Sequence, residues 1–445
     1  MKHRILALAM TVCLCLALTP AAFAQWVPPD DAPEAAAVYL ENLDTGTVLY
    51  ERNADEQRPI ASLTKMMTCL LLAESGLDLD ETFAVPEELS PEFARIRSEN
   101  GAYIDLQPGE EVTLRDLAYC TMLPSTNDSA STIAWRVAGS LDAFVAQMND
   151  RAAQLGCMDT RYSCPHGLYD AGNYSTAHDL ARIAEACMNN DVLRTICTTR
   201  EWWLPLDNVH QTVLTPDAPA GKYLRIGTSI QLQNPDSPFY RPWAEGVKTG
   251  FTDAAGRCVV TTAHTDTGRY LLVLLGEPNR KLENGSQQIY QDAAALLDWA
   301  VGAFSIGSAP DTEQPAAAVP LRWCEESSEV ILYPAAALDG LLLCSDTPYT
   351  LEAVNLPEQL EAPVAAGQQV GQANLVQNGE VLGTVPLEVR QDYVRGNRLY
   401  YGDRLAPYRG WLCAAGALLV LLLLVTAALA LRRKRHKHRR AARRR

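Results

Sequence analysis

The chain has 445 residues, enough for two or three domains, and its 48% hydrophobic and 20% charged residues are an ordinary globular balance. Its formal net charge of −15 is unevenly distributed: residues 411–445 hold ten Lys/Arg and no acid, residues 1–24 hold only Lys2 and Arg4, and the remaining body carries all 53 acids against 26 bases. A body that acidic excludes nucleic-acid binding by charge, and the basic end needs its own explanation.

In chain order, Lys2 and Arg4 precede an apolar run from Ile5 to Leu18, Pro20 breaks it, and Ala22-Phe23-Ala24 fits a small-residue cleavage site. This pattern predicts a secretory signal peptide over 1–24, too short to span a bilayer. Residues 25–35 read as an extended leader. Ala36 to Glu41 and Val48 to Glu51, with Asp44-Thr45-Gly46 between them, predict a hairpin. Pro59-Ile60-Ala61-Ser62-Leu63-Thr64-Lys65 then opens an apolar helix that runs to Glu74. From Pro86 to Met188 the pattern is mostly helical, with Leu114, Leu117, Ala118 and Leu123 on one helix and one or two more between Ala130 and Leu155. Strand character returns at Arg257 to Ala263 and Tyr270 to Leu275, and Ile289 to Phe304 closes as an amphipathic helix. Strands thus flank a helical middle, which predicts an α+β domain over 25–305 with an antiparallel sheet built from both ends of the segment.

Residues 306–319 read as a linker. From 320 to 395 short apolar runs alternate with turns, and Asn378-Gly379 between Val370–Val376 and Val381–Leu387 is a strong hairpin signal. This predicts a small all-β domain, a spacer or interaction module. Trp411 to Leu431 is 21 residues without a charge, about 31 Å as a helix, one hydrocarbon core. It reads as a transmembrane anchor followed by a basic cytoplasmic tail over 432–445, with the body outside.

Of twelve cysteines, nine lie between the signal and the anchor, an odd number that cannot all pair internally. Cys157/Cys164 and Cys187/Cys197 are the nearest pairs in sequence, and buried free thiols fit equally well. There is no C-x-x-C and no H-E-x-x-H, so no metal and no cofactor are expected.

Three short motifs carry the chemistry. Ser62 stands three residues before Lys65, so on a helix the hydroxyl and the amine share a face. A lysine becomes a base for serine when desolvation or a neighbouring cation lowers its pKa. Ser125-Thr126-Asn127 gives S-x-N at a break between helical stretches, and Lys248-Thr249-Gly250 gives K-T-G at the start of a strand. Each alone is weak. In this order, 63 and then 123 residues apart, in an exported chain, they are strong together.

The set resembles the penicilloyl-serine transferases, and most closely the low-molecular-mass penicillin-binding proteins, the serine-type D-alanyl-D-alanine carboxypeptidases. The similarity runs from about Ala36 to Phe304 and includes Pro108-Gly109-Glu110, Asp116-Leu117, Pro165-His166-Gly167-Leu168, Ser175-Thr176-Ala177 and Phe251-Thr252 with Ala254-Ala255-Gly256. The β domain and the C-terminal anchor also look like that family. The resemblance implies a β-lactamase/transpeptidase-like fold and removal of the terminal D-alanine from peptidoglycan pentapeptide stems, with β-lactams as inhibitors. It implies Ser62 as the acylated nucleophile, Lys65 as its base and Ser125 as a proton relay. Asn127, Lys248, Thr249, Gly250 and Phe251 would bind substrate, with the Ser62 and Phe251 N–H groups as the oxyanion hole. Arg280 is a further candidate for the substrate carboxylate. A catalytic histidine is not expected, since no G-x-S-x-G occurs and Lys65 fills the base role. The alternatives are a D,D-endopeptidase acting on cross-links, a β-lactamase, and an inactive wall-binding protein. Against the lactamase, no glutamate occurs between Asn127 and Glu185 to activate a deacylating water.

Overall fold

The computed structural model describes residues 26, 28, 33–168 and 170–442, with side chains described as far as residue 434. The expected signal peptide lies outside the described residues. The chain divides into two compact units: the first runs to Gly307 and takes in Gly340–Pro348, and the second holds Ser308–Asp339 and everything from Tyr349 onward.

The first unit is built on a five-stranded antiparallel sheet in the order Thr47–Arg52, Ala37–Asn42, Gly268–Glu277, Gly256–Thr265, Ala244–Thr252. The hairpin and the two later strands read from the sequence are all there. The sheet's central strand explains why Tyr270-Leu271-Leu272-Val273-Leu274-Leu275 is apolar without alternation: all six side chains are fully buried. Period two sends Leu271, Val273 and Leu275 into a core under the helical middle, and Tyr270, Leu272 and Leu274 into a second core under the helix Gln288–Ala303.

The helix Lys65–Glu74 runs through the first of these cores. Around it lie Leu114–Met122, Asn127–Ala138, Leu141–Gln154 and Ala177–Asn189. Side-chain caps start three of these neighbours, at Thr113, Ser140 and Thr176, each oxygen accepting from a first-turn N–H. Asn127–Ala138 ends at Gly139, whose φ of +76° suits glycine.

The structure departs from the sequence reading in four places. The strand carrying K-T-G begins at Ala244, so Lys248 lies mid-strand on the sheet edge rather than at a strand start. A hairpin of Glu201–Pro205 and Lys222–Gly227 had no clear pattern, because a long loop separates its halves. The stretch 306–319 is strand at both ends, Phe304–Ala309 and Ala317–Arg322, with a true connection only between. Residues 340–348 leave the β domain, because Leu342 and Cys344 are buried in the first unit's second core.

The second unit holds a six-stranded sheet with its own core, including Val330, Leu332, Ala373, Val385 and Leu387. The Asn378-Gly379 hairpin is present, both residues at positive φ (51° and 78°), as a tight two-residue turn requires. A helix spans Arg409–Ala442, and the helical stretch Asn397–Lys434 is long and apolar enough to cross a membrane. Cys157, Cys164, Cys187 and Cys197 are free thiols, so neither nearby pair is a disulfide.

Candidate active site

Ser62 lies in a single 3-10 turn, Ala61–Thr64, and the α-helix begins at Lys65. The expected contact is made: Lys65 Nζ is 2.9 Å from Ser62 Oγ. The same nitrogen donates to Asn127 Oδ1 and to the His166 carbonyl, both at 2.6 Å. Both of these acceptors can be served only by N–H bonds. A neutral amine has two N–H bonds and one lone pair, so once the carbonyls are satisfied the lone pair is left for the Ser62 hydroxyl.

Electrostatics favour that neutral form. Lys65 is completely buried and its acceptors are all uncharged. Burial first, and the charge of Lys248 second, hold its pKa well below the usual lysine value. Lys248 is equally buried and is pushed down to about 7 by the same loss of water. Its Nζ donates to the Thr249 carbonyl at 3.1 Å. Lys248 therefore acts behind the cleft wall, while Thr249, Gly250 and Phe251 form the wall itself.

The turn holding Ser62 is clamped from two sides. Ala61 has a positive φ of 47°, a conformation that alanine adopts at a cost. Gly167 packs so closely that a Cβ there would lie 1.9 Å from the Ala61 carbonyl oxygen, and its own φ is +83°. Gly250 presses from the K-T-G strand, where a Cβ would lie 3.2 Å from the Ser62 nitrogen. Two glycines thus let two backbones reach the Ser62 turn.

Ser125 also has a positive φ, 70°, between the helix ending at Met122 and the one starting at Asn127. Its neighbours hold it. Thr126 N–H donates to the Cys120 carbonyl at 3.0 Å and Asn127 N–H to the Ala102 carbonyl at 2.7 Å. The buried Asp128 carboxylate accepts from the Ile104 and Leu106 N–H groups. An open cleft of about 860 Å³ is lined by Ser62, Ser125, Asn127, Thr249, Gly250 and Phe251, among others. Thr249 Oγ1 lies 2.7 Å from Ser229 Oγ.

Two contributors escaped the sequence reading. The His166 ring meets Glu92 at 2.8 Å and Arg95 at 3.1 Å, while its backbone carbonyl accepts from Lys65. No side-chain motif could signal a carbonyl. Arg257 lines the cleft, with its guanidinium over the Phe251 ring at 4.3 Å. It stands opposite Phe251 across the strand pair, a neighbour that only the fold supplies. Arg280, the cation considered from sequence, instead forms an exposed pair with Glu34 at 2.7 Å.

Residues 27–279, more than half of the chain, match the D-alanyl-D-alanine carboxypeptidase family. The chain belongs to that family. Residues 325–395 match the C-terminal domain of penicillin-binding protein 5. Among curated carboxypeptidase relatives, DacF of Bacillus subtilis is 28% identical over 87% of this chain and 94% of its own length. A D-alanyl-D-alanine endopeptidase of Pseudomonas aeruginosa is 30% identical over 67% of this chain and 89% of its own. The crystal structure of the carboxypeptidase DacD from Francisella tularensis superposes with a TM-score of 0.56 at 22% identity, covering 83% of this chain and 96% of that one, and shares its fold. As a carboxypeptidase of this family the protein is a hydrolase with a transpeptidase-like α+β domain, an all-β C-terminal domain and one apolar C-terminal helix.

Proposed function

We propose that the carboxypeptidase cuts the terminal D-alanine from peptidoglycan pentapeptide stems through an acyl-enzyme on Ser62, and that β-lactams acylate the same oxygen. The observation that carries this reading is the fully buried Lys65 amine, within hydrogen-bond reach of Ser62 Oγ, Asn127 Oδ1 and the His166 carbonyl. Lys65 takes the Ser62 proton as Oγ attacks the penultimate carbonyl. The C–N bond breaks, the proton passes by way of Ser125 to the leaving amine, and Lys65 is neutral again to activate the water that frees the acyl group. The Ser62 N–H at the start of its helix and the Phe251 N–H on the strand stabilise the oxyanion, each donor being worth about 100-fold or more. The K-T-G strand is a sheet edge with one row of backbone groups outside the ladder, suited to the extended stem peptide. Asn127 and Gly250 shape the site, Thr249 binds the terminal carboxylate, and Arg257 replaces Arg280 as the cation drawing it in.

The signal peptide exports the body, and the apolar helix anchors it with the basic tail in the cytoplasm. Fluorescent penicillin tests the nucleophile: the wild type takes the label and Ser62→Ala does not, and labelling of Ser62→Ala would refute the assignment. D-alanine release from a pentapeptide, compared with cleavage of a cross-linked dimer, distinguishes this reading from the endopeptidase one that the Pseudomonas relative favours.

A further inference from the structure

We propose that Glu110, Asp207 and His210, none of which lines the Ser62 cleft, form a binding site for one divalent transition-metal ion of the zinc type. Glu110 stands at the turn before the strand Glu111–Thr113, and the other two lie in the loop after Glu201–Pro205. One ligand atom from each lies within 4.8 Å of the other two. His210 Nδ1 is 3.3 Å from Glu110 Oε1 and 3.2 Å from Asp207 Oδ2. A tetrahedral centre with bonds of about 2.0–2.1 Å separates its ligand atoms by about 3.3–3.4 Å, so these two spacings are those of tetrahedron edges.

One imidazole nitrogen and two carboxylate oxygens converge on one point, His210 Nδ1 facing Glu110 Oε1 and Asp207 Oδ2. Glu110 is only 2% exposed, and its inward oxygen meets that nitrogen, which lies nearer to Asp207. A dication at the centre would be bound by both oxygens and by the nitrogen lone pair, and would cancel both negative charges.

The arms are held in place by contacts that do not involve the ion. Glu110 Oε2 accepts from Gln107 N–H at 2.8 Å, leaving Oε1 for the centre. Asp207 Oδ1 accepts from Val209 and His210 N–H groups, leaving Oδ2. The His210 ring lies flat on Tyr223, with centroids 4.7 Å apart and planes 5° from parallel. Asn208 ties the loop to the turn, donating to the Gly109 carbonyl and accepting from Glu111 N–H, both at 2.8 Å. Supporting contacts of this kind orient ligands in metal sites. Beside the group is a cavity of about 30 Å³ bordered by Glu110, Asp207, Asp116 and Tyr223, room for a water as fourth ligand. Two oxygens and one imidazole suit zinc better than calcium or magnesium, which take all-oxygen shells.

Such an ion would pin the loop after residue 205 to the turn that leads into Leu114–Met122, the helix that ends just before Ser125. Its role is to brace that corner.

The test uses the full chain in detergent, purified without a polyhistidine tag and freed of metal by a chelator. Zinc is expected to bind at one equivalent per chain by elemental analysis and to raise the melting temperature by several degrees at about 100-fold excess over Kd, reversibly with chelator. His210→Gln and Asp207→Asn are each expected to weaken zinc binding by about 10-fold or more, with metal-free melting temperature and D-alanine release like the wild type. If a variant fails to fold, cobalt in the wild type decides: a four-coordinate visible absorption supports the site. Absence of stoichiometric binding, a cobalt spectrum of octahedral type, or zinc affinity unchanged in the folded variants overturns the proposal.

Discussion

The floor of the Ser62 cleft and the end of the central strand pose the same physical problem with opposite signs. In the cleft, Lys65 and Lys248 are amines buried beyond the reach of water. At the strand end, Glu277 is a carboxyl fully buried beside Asp292, and burial first, then Asp292, push it up to about 8. Burial disfavours the charged form of each group. They differ in what the neutral form faces. Lys65 Nζ lies 2.9 Å from the Ser62 hydroxyl, on an open cleft. Glu277 is not among the residues lining that cleft, and no nucleophile comes with it. A shifted pKa therefore marks burial, and only the partner that takes or gives the proton turns burial into chemistry.

Four substitutions test that contrast. The largest effect is expected from Gly167→Ala, because its Cβ would collide with the Ala61 carbonyl and displace both the Ser62 turn and the loop whose carbonyl holds Lys65. D-alanine release should fall about 100-fold or more, as small misplacements of catalytic groups do. Near-normal turnover would mean that the turn tolerates movement.

Lys248→Gln comes next. Removing a nearby positive charge makes Lys65 easier to protonate, so the acid limb of the kcat/KM profile should move to higher pH, with turnover at pH 6 falling by about 10-fold or more. The shift belongs on the acid side of about pH 7, where Lys248 itself holds its proton. An unmoved limb would detach Lys248 from the base.

Arg257→Ala should raise KM for the pentapeptide by about 10-fold with a smaller change in kcat, since it removes a cation from the binding wall and leaves the base intact. Equal losses in both constants would place it in the chemical step instead.

The smallest effect belongs to the strand end. Between about pH 4.5 and 8 the folded protein keeps the Glu277 proton that the unfolded chain releases, so wild-type stability should decline as pH rises across that window. Glu277→Gln should flatten the decline and gain about 1–2 kcal/mol at pH 8, read by denaturation at pH 5 and 8, with D-alanine release unchanged. A loss of activity in that variant would join the two regions that the comparison separates.

Much of this was legible before the fold. The first hairpin, the two later strands, the helical middle, the β domain and the Asn378-Gly379 turn follow from periodicity and turn chemistry, which are local. The K-T-G strand was misjudged because Ala244 to Val247 lacks alternation beside a loop-like approach. The segment 340–348 reads as just another short apolar run, and nothing local says which core receives it.

The sequence by itself determined the Ser62–Lys65 pair, because a spacing of three residues brings the two side chains together wherever the helix is placed. It did not determine the surroundings that suit Lys65 to the proposed base role. Those required a carbonyl 101 residues away and an amide 62 residues away to take up the two N–H bonds, and a fully closed interior to remove the water. Arg257 over Phe251 and the meeting of Glu110 with Asp207 and His210 are likewise decisions of the fold. The physical reason is common to all three. Desolvation and the sharing of a proton depend on which distant segments close around a group, and local spacing carries no record of that.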